Sequence, residues 1–160
     1  MVGLKQAPDL TLNTTSGAAY SLKKTVQSQS PYTVLAFFKV SCPVCQFTFP
    51  YLERLHRAYP DIAIWGISQD DQDASNDFAK SYGCTFPILL DEELNFTVEY
   101  GLENVPTIFL INQDMQIKSS INGFVKDELE ALGKQLAEVS ASPYKPLFSE
   151  ADQVPAYRPG

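Results

Sequence analysis

Two of the chain's three cysteines, Cys42 and Cys45, stand in a Cys-Pro-Val-Cys run, and a pair at this spacing suits either dithiol–disulfide exchange or half of a metal site. A closed zinc site needs four ligands, and only Cys84 and His56 remain as soft donors, so exchange is the stronger reading. A cysteine at a helix start meets unpaired backbone N–H groups and the positive end of the helix dipole, which favours its thiolate. Cys42 is therefore the expected nucleophile. Pro43 takes the first helical position, where it loses no hydrogen bond and presets the helical dihedral. Cys45, one turn later on the same side, is the expected resolving thiol. Lys39 is the nearest charge and tunes the thiol pKa if it folds back; its plainer role is a solvated lysine at a strand end.

The elements that must hold this pair are legible around it. Residues 32–38 form a nearly continuous apolar run, the pattern of a central strand covered on both faces. From Pro43 onward Phe47, Leu52, Leu55 and Tyr59 recur at helical spacings, with Pro50 expected to kink the helix. A second buried strand is expected over 62–68, then a helix entered through Asp70, Asp71 and Asp73 and stopped at Gly83. A short strand at 86–90, a short helix at 92–100, strands at 107–111 and 115–121 and a helix over 126–139 complete the domain. Ahead of them, residues 9–12 and 18–22 flank a turn cluster and suggest an opening hairpin.

Strands alternating with helices imply βαβ units, with the last antiparallel hairpin adding edge strands, hence an α/β three-layer α/β/α sandwich. The domain is expected over residues 1–140. Beyond it, residues 141–160 carry Pro143, Pro146, Pro155 and Pro159 and read as an irregular tail. Its aromatics Tyr144, Phe148 and Tyr157 either pack on the domain or dock a partner, packing being favoured.

Composition excludes several function classes. The chain has a net charge of −7, with no cluster of Lys or Arg among aromatics, which argues against nucleic acid as a partner. No apolar run is long enough to span a membrane, and residues 1–10 lack the pattern of a secretory leader. The chain is accordingly expected to be cytoplasmic, or periplasmic if a leader has been removed.

The segment from Ala36 to Cys45, the later Val105-Pro106-Thr107 and the Ala7-Pro8-Asp9 opening together resemble the thioredoxin superfamily, best its redoxin branch with the thiol-specific antioxidant proteins. The likeness covers roughly residues 4–140. It implies a thioredoxin-like fold with a central mixed sheet and an N-terminal hairpin extension. It also implies that Pro106 is cis and lies against the cysteines, and that Val105 offers its backbone to a substrate strand. Pro43 and Val44, between the thiols, complete the expected substrate contacts. The departures are equally specific. Ser41 stands where thioredoxins carry Trp, Ala36 where they bury an acid, and Thr48 where periplasmic relatives place Glu. A peroxiredoxin would need Thr or Ser at position 39 and Pro at position 35, and this chain has Lys39 and Leu35.

The expected function is thus a thiol–disulfide oxidoreductase that reduces protein or small-molecule disulfides. It would use no cofactor beyond its own Cys42–Cys45 disulfide, draw on an external thiol reductant, and act as a monomer or weak dimer. A thiol-dependent peroxidase is the alternative, and a non-catalytic thioredoxin-fold binding module the weaker one. Cys84 is expected to be buried as a small apolar side chain rather than to act as a third redox thiol.

Overall fold

A computed structural model describes residues 5–160; the first four residues of the expected domain and of the 1–10 opening lie outside the described residues. In chain order these form β1 (Thr11–Asn13), β2 (Ala19–Ser21), α1 (Leu22–Ser28), β3 (Tyr32–Phe38), α2 (Pro43–Ala58), β4 (Ala63–Ser68) and α3 (Gln72–Tyr82). There follow β5 (Ile88–Leu90), α4 (Asn95–Glu99), β6 (Thr107–Asn112), β7 (Ile117–Asn122), β8 (Phe124–Val125), α5 (Lys126–Val139) and β9 (Tyr157–Arg158).

The central sheet runs in the order β5-β4-β3-β6-β7. Strands β3, β4 and β5 are parallel because α2 and α3 carry the chain back between them, whereas β6 and β7 join antiparallel. Only β7 of the last hairpin is an edge strand. Strand β6 lies inside the sheet beside β3, and its buried residues Thr107 to Ile111 explain why: both its faces need cover.

Period-two alternation along β3 divides the core between the two faces. Val34, Ala36 and Phe38 meet Phe49, Leu52 and Leu55 of α2, Phe78 of α3, and Leu129, Leu132 and Leu136 of α5. Leu35 and Phe37 point the other way, into Leu22 and Val26 of α1, Trp65 and Tyr100. The result is the expected thioredoxin-like α/β/α sandwich with a mixed sheet, preceded by the β1–β2 hairpin.

Several expectations need correction. The strand expected over 18–22 ends at Ser21, whose side chain caps α1, a helix that the sequence reading did not contain. Helix α2 runs from Pro43 to Ala58 with Pro50 inside it. The acidic entrance of α3 is as expected, with Asp71 as the cap, accepting from the Ala74 N–H at 2.8 Å, and Gly83 stops the helix at φ +69°. The helix expected over 92–100 begins only at Asn95, because the Asp91 carboxylate collects the N–H groups of Phe96 and Thr97.

Residues 141–160 pack on the domain. Leu147 and Phe148 are buried in the α2–α5 cluster, and Arg54 of α2 holds Asp152 through two bonds of 2.9 Å. Glu130 of α5 accepts from the Tyr144 hydroxyl and the Leu147 N–H, and β9 then pairs antiparallel with β8.

Candidate active site

The strand-to-helix junction after β3 builds the site. The chain turns through Lys39, Val40 and Ser41, and the Cys42 N–H donates to the Lys39 carbonyl at 3.1 Å. Cys42 itself caps α2, its sulfur accepting from the Cys45 N–H at 3.1 Å, and Pro43 opens the first turn. The free N–H of a helix start is thus aimed at the sulfur, where it favours negative charge. Two side chains pin this turn from outside: Asp70 accepts from the Val40 N–H at 2.9 Å, and the Gln46 amide donates to the Val40 carbonyl at 2.9 Å. Neither appeared among the sequence candidates, and the Asp70 bond crosses thirty residues of chain.

The two thiols differ in setting. Cys42 is half-buried, whereas Cys45 has no exposed surface. Burial, reinforced by the adjacent Cys42 sulfur, raises the Cys45 thiol well above its ordinary range. Thr48 donates its hydroxyl to the Val44 carbonyl at 2.7 Å, one turn deeper in α2. The buried acid of α2 is Glu53, and it serves elsewhere: it accepts from the Thr85 N–H and hydroxyl and from Arg57, on the side facing Cys84. Burial pushes the half-buried Cys84 thiol up to about 12, with the Glu53 charge adding to it. This suits a packed thiol rather than a reactive one.

The loop before β6 closes over the pair. The Val105–Pro106 peptide is cis, as the resemblance implies, and the Cys42 thiol donates to the Val105 carbonyl at 3.6 Å. Thr107 ties back to the Asn104 carbonyl at 2.8 Å, and the Gly123 N–H donates to the Pro106 carbonyl at 2.8 Å. Pro106 is buried and Val105 half-buried beside Cys42. Pro43 is exposed at the mouth, while Val44 packs its side chain into the core. Lys39 is exposed and enters the site through its backbone. Leu35 is fully buried on the opposite face of the sheet, so neither peroxidase-pattern position brings a hydroxyl or a proline to Cys42. His56 lies half-buried against Phe86 in the last turn of α2, at the opposite end of that helix from the cysteine pair. Among the described residues no group of three or more His, Cys, Asp or Glu is placed to hold a metal ion.

The chain is similar in sequence and fold to known proteins. The chain is 28% identical over 136 residues to the thiol-disulfide oxidoreductase ResA of Bacillus thuringiensis, covering 82% of this chain and 77% of that one. Its fold superposes on a candidate protein disulfide isomerase from Bacteroides thetaiotaomicron with a TM-score of 0.78 and 26% identity, over 89% of this chain and 92% of that chain. A secreted disulfide oxidoreductase of Mycobacterium tuberculosis matches with a TM-score of 0.67 and 25% identity, over 81% and 95% of the two chains. These relatives overturn the cytoplasmic expectation, since the mycobacterial oxidoreductase is described as secreted. Among the described residues no helix is long and apolar enough to cross a membrane. The protein is an enzyme of thiol–disulfide exchange, and with the AhpC/TSA family model matching residues 4–120 the chain belongs to that family.

Proposed function

We propose that Cys42 is the nucleophile and Cys45 the resolving thiol of a reductase for substrate disulfides. The observation that carries this reading is the contrast between the two sulfurs: one half-buried and bonded by a helix-start N–H, the other sealed in the core and held protonated by burial. In the forward reaction the Cys42 thiolate attacks one sulfur of the substrate disulfide. A Cys42–substrate disulfide forms, and the other substrate sulfur leaves as a thiolate that takes a proton from water. Cys45 then gives up its proton and attacks the Cys42 sulfur, forming the Cys42–Cys45 disulfide and expelling the second substrate thiolate, which is protonated in turn. The substrate gains two electrons and the enzyme pair loses them. An external dithiol returns the pair to its reduced form.

The Val105–Pro106 loop supplies the docking edge. Its carbonyl already contacts the Cys42 sulfur, so a polypeptide strand laid along Val105 would bring its disulfide to the nucleophile. Pro43 borders the same opening. Every group named lies in one chain, so a monomer suffices for the reaction.

The test is reduction of insulin disulfides with dithiothreitol as the electron source. The unaltered protein should accelerate precipitation of the insulin B chain, and Cys42→Ser should abolish the acceleration; a Cys42→Ser protein of full activity would refute the assignment.

A further inference from the structure

The four residues 157–160 return to the site from the far end of the tail. Strand β9 pairs with β8 through Phe124–Arg158 and Val125–Tyr157, and the Lys126 N–H donates to the Ala156 carbonyl at 2.9 Å. Two glycines allow the backbones to meet. A Cβ on Gly123, whose φ is +79°, would lie 2.6 Å from the Arg158 carbonyl oxygen, and a Cβ on Gly160 would collide with the Val105 carbonyl oxygen. That Val105 carbonyl is the one in contact with the Cys42 sulfur. Gly123 also donates to the Pro106 carbonyl, so a single residue links the docking loop to the tail. Beside it the Arg158 guanidinium covers the ring of Phe47, two residues beyond Cys45, at 4.9 Å from its centroid.

We propose that residues 157–160 act as an internal ligand of the docking edge at Val105, a strap that a polypeptide substrate must displace before its strand can settle there. This rests on the reading of Val105 as the docking edge given above. The strap is built to release. Its ladder has two residue pairs, Tyr157 and Gly160 are exposed, and a ladder of that length is marginal by itself. Upstream, the buried Leu147 and Phe148 and the Arg54–Asp152 pair hold the tail to α2, so residues 157–160 can lift without unfolding the rest. A small disulfide needs no strand pairing and reaches the half-buried Cys42 with the strap in place. A polypeptide disulfide competes with it, and its apparent affinity falls by the fraction of molecules in which the strap is closed.

The experiment uses the full chain with two substitutions outside the catalytic pair. Gly160→Val puts a side chain against the Val105 carbonyl, and Arg158→Ala removes the cation from Phe47. Strap release is read directly as faster hydrogen exchange at the Lys126 amide. The specificity constant for insulin should then rise about three- to tenfold in both variants. The rate with 5,5′-dithiobis(2-nitrobenzoate) should stay unchanged. Faster exchange at Lys126 with an unchanged or lower insulin rate would overturn the proposal, as would an equal rise with both substrates. Failure of the underlying site reading shows differently: Cys42→Ser would retain exchange with the small disulfide.

Discussion

At the scale of single residues, the division of labour rests on where each sulfur sits along the first turn of α2. Position 42 is the cap, where the chain is extended and the sulfur meets the Cys45 N–H; position 45 is inside the helix and faces the core. Spacing and residue type made this pair legible, because helix-start chemistry is local. Asp70 was not, since a carboxylate that catches a backbone N–H thirty residues away leaves no local signature. One consequence concerns pH. Burial is the largest cause of the raised Cys45 thiol, and it persists in the mixed disulfide, where Cys42 no longer carries charge. The proton on Cys45 therefore has to leave before resolution, and the fraction without it grows as pH rises. In single-turnover measurements, release of substrate from a preformed Cys42 mixed disulfide should accelerate through the alkaline range, about tenfold per pH unit while the thiol remains mostly protonated. A resolution rate independent of pH there would contradict a buried, protonated resolving thiol.

At the scale of elements, long and strongly patterned segments were legible and short ones were not. The limits expected for β3 and α5 match those found, because a seven-residue, nearly continuous apolar run and a fourteen-residue amphipathic repeat leave little choice of partner. Helix α1 spans seven residues and β9 two, too short for periodicity to register, and both are stabilised by tertiary contacts. Phe49 shows how α2 is seated: it is fully buried, with its ring 4.4 Å from that of Phe38 and 5.3 Å from that of Phe78. Gly66 of β4 leaves room for this cluster, since a Cβ there would stand 3.1 Å from the Phe38 ring. Phe49→Ala should cost about 3–5 kcal/mol in urea unfolding, the sum of lost transfer energy and the cavity left behind. A loss below about 1 kcal/mol would mean that α2, and with it Cys42, is not fixed by this packing.

At the scale of the whole molecule, the sandwich brings together three segments distant in sequence: the β3–α2 turn, the Val105–Pro106 loop and residues 157–160. The first two were legible because each carries a motif. The third was legible only in part: packing of the tail aromatics was the favoured expectation and the buried Phe148 meets it, but no motif pointed to Leu147 beside it or to Gly160 lying against Val105. The direction of exchange in this location is read from the redox potential, measured against glutathione. The central claim, attack by Cys42 and resolution by Cys45, is tested most directly by trapping its intermediate. Cys45→Ser protein reacted with insulin and digested under non-reducing conditions should yield, by mass spectrometry, an insulin peptide disulfide-bonded to Cys42. Linkage through Cys84 instead, or no adduct while the unaltered protein reduces insulin, would contradict the account.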